Sequence, residues 1–435
     1  MPRLALKSIA ESLVEPGTKG LPPKAGALRL GDFGKQGWNV LRHDLPLPLA
    51  VLKDSALHHN SRAMRRFLEK TGSRLCPHGK TTMAPQLFER QLEDGAWGIT
   101  AATVSHVIAY RRFGVARIFF ANQLVDPVGI DFVLEEMARD PDFDFYCLVD
   151  SLAGIELLRQ RAAARNCGRP LQVAVEVGVE GGRSGARSHT EAMALARAVH
   201  EARPLLALRG VEAFEGVFQM AGGGGGAAPK IEALTRAMKE VAKAADDAGL
   251  FADGPILLSA GGSAYFEQVA SDLRTSLSRP VVTVLRSGCY LVHDHGAYEQ
   301  IFADPRHLPA NAAPLDEPFR PALEVWGYVQ SLPEPGIALL TMGKRDVSFD
   351  VHLPKPILWH RPGVHQQPQP LSADYAISSL NDQHAFLACP KDHPLNIGDM
   401  VAVGISHPCT TFDKWQVLYL VDDDYTVIDG IRTFF

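Results

Sequence analysis

Between residues 74 and 290 short apolar runs alternate with longer amphipathic ones, and the alternation repeats eight times. The runs read as strands are 74–78, 97–100, 117–121, 144–149, 171–177, 208–214, 256–259 and 281–285. Most are rich in Val, Ile, Leu or Phe without clean polar alternation, the pattern of strands covered on both faces. The stretches between them, including 84–94, 105–113, 126–139, 154–164, 189–202 and 231–248, read as helices. Several open on good caps: Asp126-Pro127, and Ser188 followed three residues on by Glu191. A strand–helix unit repeated eight times over about 220 residues predicts an α/β fold, a parallel (β/α)8 TIM-type barrel. A doubly wound open sheet is the competing architecture. It is disfavoured because no Gly-x-Gly-x-x-Gly turn follows the first strand.

After residue 310 the character changes. Pro305, Pro309, Pro314, Pro318 and Pro321 lead into short alternating segments at 322–331, 337–342, 386–388, 400–405 and 416–421. They predict a C-terminal antiparallel β domain over 311–435, with the barrel over 46–310. Residues 1–45 either join the β domain or wrap the barrel. A chain of 435 residues, 46% hydrophobic and 21% charged, is long enough for both cores. A net charge of −5 carries no basic excess, so nucleic acid is not an expected partner. Neither a signal-like apolar start nor a run of about 20 apolar residues is present, so no membrane span is expected. Six scattered cysteines, at 76, 147, 167, 289, 389 and 409, suit a reducing, cytoplasmic setting.

Chemistry in such barrels collects at the carboxyl rim of the strands. Lys80 stands there, in His78-Gly79-Lys80-Thr81 after the first strand, where a partly desolvated lysine can form an imine. A solvated surface lysine is the plain alternative. Two glycine-bearing turns follow the seventh and eighth strands: Ser259-Ala260-Gly261-Gly262-Ser263 and Arg286-Ser287-Gly288-Cys289-Tyr290. Barrels often hold a phosphate between these two loops, where glycine lets backbone N–H groups approach the anion. Lysine at one end and phosphate at the other is what pyridoxal 5'-phosphate requires. Arg183, in Gly182-Arg183-Ser184-Gly185 after the fifth strand, either reaches the ring hydroxyl or a carboxylate, or pairs with a nearby acid. The glycine run 222–226 reads as a mobile loop on the same rim.

Taken together these residues resemble the fold type III pyridoxal phosphate enzymes, the alanine-racemase-like barrels. The chain is more similar still to their D-serine dehydratase and D-threonine aldolase branch, often labelled amino acid deaminase in bacteria. The likeness runs from His78-Gly79-Lys80-Thr81 through Glu176 and Arg183-Ser184-Gly185 to both glycine turns. It ends at Gly404-Ile405-Ser406-His407-Pro408-Cys409-Thr410-Thr411-Phe412-Asp413. The resemblance implies that Lys80 carries the cofactor and that Gly261, Gly262, Ser263, Gly288, Cys289 and Tyr290 form its phosphate end. Two departures border the expected substrate: His106 where many relatives have Glu, and Phe218-Gln219-Met220 where an aromatic and a histidine are usual.

His407 and Cys409 pose the metal question. If the strand at 400–405 continues, Val401, Val403, Ile405, His407 and Cys409 share one face. Side by side, His and Cys are either half of a zinc site or simply two buried core residues. The resemblance favours Zn2+, because His-x-Cys looks like the metal pair of the dehydratases whereas aldolases more often carry His-x-Asp. It implies a zinc-dependent dehydratase (deaminase) of D-serine or a related D-3-hydroxy amino acid, giving a 2-oxo acid and ammonia. A D-threonine aldolase-type lyase is the near alternative and a non-catalytic pyridoxal phosphate-binding protein the distant one. A homodimer is the assembly the resemblance implies.

Overall fold

The computed structural model describes residues 3–220, 226–304, 307–310 and 312–435. The glycine run expected as a mobile loop lies outside them except for Gly226. Eight parallel strands form one curled sheet. Arg74–Leu75 pairs with Val281–Leu285, and the order continues through Ile256–Ala260, Leu206–Glu212, Leu171–Glu176, Asp144–Val149 and Arg117–Gln123 to Ile99–Ala101. The ring closes between the first and second strands. There the Trp97 and Thr100 amides donate to the Leu75 and Pro77 carbonyls at 2.6 and 2.8 Å, and His78 bridges Thr100 in parallel. The regular part of the first strand is shorter than its apolar run because Pro77 has no N–H for the ladder.

The missing alternation has the expected cause. Ile99–Ala101 and Ile256–Ala260 are buried along their whole length, and only the first residue of Asp144–Val149 is not. The caps form as read. The Asp126 carboxylate accepts from the Val128 and Gly129 amides, opening helix Pro127–Arg139. Ser188 Oγ accepts from the Glu191 amide at 3.1 Å, while the Glu191 carboxylate reaches back one residue further than usual, to the Arg187 amide.

The β domain departs from its expected outline at its first strand. Leu49–Lys53, counted with the barrel in the sequence reading, lies in the C-terminal sheet. It runs antiparallel to Leu323–Glu334 and parallel to Val417–Val421, so this sheet is mixed at one place. Leu323–Glu334 also pairs with Met400–Gly404, which carries Lys355–His360, and it continues into Ile337–Leu340, Ala385–Ala388 and Ala376–Leu380. The open question about the first 45 residues resolves with it. Ile9, Val14, Leu30 and Phe33 join Leu49, Val51, Trp326 and Tyr419 in a core separate from that of the barrel, and Phe33 stacks on Tyr419 at 5.3 Å.

One polar knot anchors this second core. Glu324 and Trp326 point to the same face of their strand, and the Trp326 indole N–H donates to the Glu324 carboxylate at 2.9 Å. The Tyr425 hydroxyl donates to the same carboxylate at 3.0 Å. Burial pushes the Glu324 carboxyl up, against the pull of Lys53. Trp326→Ala should therefore cost about 3–5 kcal/mol, a large cavity plus a carboxylate short of a donor. Trp326→Phe should cost clearly less, and urea unfolding midpoints measure both.

Candidate active site

Lys80 sits on a single 3-10 turn, Gly79–Thr81, at the carboxyl end of the first barrel strand, with its side chain exposed. Two histidines share its field. His78 is held well below the usual imidazole range, first by burial and then by Lys80, and its Nδ1 is buried without a partner among the described residues. His106 is pushed down to about 4 by burial and Lys80. Its Nδ1 accepts from the Ala102 amide at 3.3 Å, which leaves the proton on Nε2. Both rings are thus neutral near pH 7.

The two glycine turns meet as the barrel geometry requires. Gly261 has φ +107°, a conformation that favours glycine. The Gly261 and Gly262 amides converge on the two oxygens of one carboxylate, Glu215, at 2.9 and 2.5 Å. Adjacent N–H groups gripping one anion form a nest. Ser263 Oγ accepts from the Cys289 amide at 3.1 Å, and Ser287 Oγ donates to the Gly262 carbonyl at 3.2 Å, tying the turns together. Gly288 has a different reason to be glycine. A Cβ there would meet the His78 carbonyl at 2.6 Å and Thr81 Oγ1 at 2.7 Å.

Behind the nest the strand ends are locked. Arg286 is buried in an ion pair with Glu212 and donates to Ser259 Oγ at 2.9 Å and the Ala213 carbonyl at 3.2 Å. Burial raises the Glu212 carboxyl to about 7 despite Arg286. Arg183 is exposed over the Phe214 ring at 4.8 Å, and the two line a small cleft with Glu176 and Ser184. Tyr290 lies in the turn Cys289–Leu291, but its side chain turns away from this rim. It is buried in the main core, with its ring 6.0 Å from that of Phe319, so its hydroxyl is no part of a phosphate grip.

His407 and Cys409 come together, but not by strand alternation. The strand stops at Gly404, and Cys409 opens a short helix, Cys409–Phe412, immediately after Pro408. Proline cannot donate to a ladder, so the alternating face ends before the pair. His407 is nevertheless near enough to Cys409 for each to shift the other's charge. Its Nδ1 is 2.5 Å from the Asp350 carboxylate, which also accepts from Thr410 Oγ1 at 2.9 Å. Cys409 Sγ is 3.5 Å from Thr81 Oγ1 and 3.6 Å from Cys289 Sγ. Cys289 and His407 favour the thiolate form of Cys409, and Cys409 in turn raises His407 to about 9. The β domain thus sets the Cys409 sulfur against the residue next to Lys80. Among the described residues no three His, Cys, Asp or Glu side chains yet converge tightly enough to hold a metal ion.

Glu215, Glu212 and Arg286 were not singled out in the sequence. Carboxylates and an arginine at strand ends are common, and only the folded backbone shows which N–H groups they meet.

Comparison with known proteins places these features in context. The family model for the alanine racemase N-terminal domain matches residues 53–299, and that for a putative serine dehydratase domain matches 322–421. A 3-hydroxy-D-aspartate aldolase of Paracoccus denitrificans (strain Pd 1222) is 27% identical over 86% of this chain and 88% of its own length. A D-threonine aldolase of an Arthrobacter species is 25% identical over 86% and 89%. Among solved structures, D-threo-3-hydroxyaspartate dehydratase from Delftia sp. HT23 superposes with a TM-score of 0.70 at 20% identity. That match covers 91% of this chain and 99% of the other, a likeness of fold.

Two outcomes test the rim. Borohydride treatment of the pyridoxal phosphate-loaded protein should attach the cofactor to the peptide containing Lys80, and Lys80→Ala should abolish both label and turnover. A label on another lysine would refute the assignment. Gly262→Val should weaken cofactor binding by roughly tenfold or more, since a branched side chain crowds the nest. Glu215→Gln keeps the shape but removes the competing charge, and should bind the cofactor more tightly. Fluorescence titration of the apoprotein measures both.

Proposed function

We infer the reaction from one premise: the chain belongs to the fold type III pyridoxal phosphate enzymes, in the D-serine dehydratase and D-threonine aldolase branch. The relatives are lyases, and pyridoxal phosphate is the cofactor of the family. Within that class we propose a zinc-dependent dehydratase of D-serine or a related D-3-hydroxy amino acid, producing a 2-oxo acid and ammonia. The observation that carries this reading is the Cys409 sulfur, two residues from His407 and seated 3.5 Å from Thr81 Oγ1, one residue from Lys80.

The residues present suit both groups. The Gly261–Gly262 nest already grips an anion, and His78 keeps an unpartnered ring nitrogen beside the rim. Nitrogen and thiolate donors select zinc over hard cations. When bound, pyridoxal phosphate supplies an electron sink at Cα, and zinc supplies a Lewis acid for the β-hydroxyl.

The chain's own groups do the rest. The Gly261 and Gly262 amides, which grip the Glu215 carboxylate, would hold the phosphate in its place, and Ser263, held by the Cys289 amide, keeps the two turns in register. Lys80 is the base that removes the Cα proton. Arg183, in the loop after the fifth strand on the same rim, would receive the substrate carboxylate or the ring hydroxyl. His407 and Cys409 would hold the metal, and Asp350 orients the His407 ring from its far nitrogen. Departure of hydroxide from Cβ leaves an enamine, which hydrolyses in water to the 2-oxo acid and ammonia. A homodimer in the cytoplasm belongs to the same proposal, supported by the family and by six unpaired cysteines.

The aldolase names of the sequence relatives support a second reading, cleavage of the Cα–Cβ bond. Product identity separates the two. D-serine and D-threonine should give pyruvate and 2-oxobutyrate; glycine with an aldehyde would establish the aldolase. A chelator should stop 2-oxo acid formation while leaving the cofactor absorbance in place, and zinc should restore activity better than magnesium. Full turnover after verified metal removal would refute the zinc role.

A further inference from the structure

Two cysteines from different halves of the molecule meet beside the Lys80 turn. Cys289 belongs to the turn after the eighth barrel strand and Cys409 to the β domain, yet their sulfurs stand 3.6 Å apart. Both also touch one buried side chain, Thr81, whose Oγ1 is 3.8 Å from Cys289 Sγ and 3.5 Å from Cys409 Sγ. A disulfide bond measures about 2.05 Å, so the sulfurs need to close by only about 1.5 Å. The two sides differ in what can move. Cys289 is buried and held: its amide donates to Ser263 Oγ at 3.1 Å, and the preceding Gly288 packs directly on the His78 carbonyl and Thr81. Cys409 is half-buried and opens the short helix Cys409–Phe412, after a strand that has already ended at Gly404. Cys76 and Cys147 make the contrast. Both are buried with the barrel strands, and burial pushes their thiols up to about 12, as suits unreactive core residues.

We propose that Cys289 and Cys409 form a reversible oxidation site, a thiol pair that an oxidant of the peroxide class closes into a disulfide between the barrel and the β domain. Cys409, the more accessible sulfur, attacks one peroxide oxygen as the thiolate. The O–O bond breaks, hydroxide leaves, and Cys409 becomes a sulfenic acid. Cys289 then attacks the Cys409 sulfur; the S–S bond forms, the S–O bond breaks, and the oxygen departs as water with the Cys289 proton. Across both steps the pair gives up two electrons and two protons, and one peroxide becomes two waters. A thiol reductant reverses the bond by exchange. Closure draws residue 409 onto Thr81, the neighbour of Lys80, and takes its sulfur out of any metal site, so turnover stops. The pairing itself stands on the sulfur contact and is independent of the zinc reading. In a reducing compartment such a bond is transient, the behaviour of a sensor rather than a structural staple.

Mass spectrometry reads the bond directly. The pyridoxal phosphate-loaded enzyme, freed of metal by a chelator, is treated with stoichiometric hydrogen peroxide, capped with N-ethylmaleimide in urea and digested without reductant. The Cys289 and Cys409 peptides should be found joined, two hydrogens lighter than their sum. Turnover, assayed after zinc is returned, should fall in proportion to the linked fraction and recover with dithiothreitol. Cys289→Ser should stop at the Cys409 sulfenic acid, which dimedone traps, and Cys409→Ser should leave Cys289 as a free thiol. These two readings need no activity from the variants. Separately capped Cys289 and Cys409 peptides after peroxide would overturn the proposal, as would dimedone trapping of Cys409 to the same extent in wild type and Cys289→Ser. A link that forms without loss of turnover would overturn its control of the site.

Discussion

The Arg286 guanidinium is the point on which the catalytic rim depends. Rising from the end of the eighth strand, it meets Glu212 on the sixth, Ser259 on the seventh and the carbonyl of Ala213. Three neighbouring strand ends are thereby fixed relative to one another, and both glycine turns leave from this locked edge. Such a pair adds little net stability, since removing both charges from water costs about what their attraction returns. Its value is positional. Breaking it by removing one partner would leave a buried charge, at a cost of roughly 3–5 kcal/mol.

How far the fold was legible follows from how local each signal is. The strands expected at 144–149 and 281–285 are found with those bounds, and the helix expected from 189 starts at His189 behind its Ser188 cap. Burial on both faces and capping act within a few residues, so the chain advertises them. The strand Leu49–Lys53 carries an equally apolar run, but its partners lie beyond residue 322, and nothing local says to which sheet it belongs. The site divides the same way. Lys80 and the glycine turns follow from the barrel's own rule about rims. Glu215 in the anion nest depends on a backbone turn closing over it, and the His407–Cys409 contact depends on a loop and a short helix where an extended strand was expected.

The rim also hints at how this chain treats its substrate. A histidine at 106 that stays uncharged beside Lys80 offers a hydrogen bond from Nε2 without adding positive charge. A carboxylate at that position would instead attract the lysine. The other departure from the family pattern falls on the short helix Val217–Met220.

Because Leu49–Lys53 lies between Leu323–Glu334 and Val417–Val421, the barrel is inserted within the β domain's chain rather than placed before it. During synthesis the first segment emerges with its apolar side chains exposed and no sheet to join. The whole barrel must be made before residues 323–334 arrive to cover it. Such distant pairing is the slow part of folding, and a barrel already closed would bring the two ends of its own insertion within reach of each other. The half of the site that carries His407 and Cys409 would then be the last part of the molecule to assemble, on a barrel half already complete.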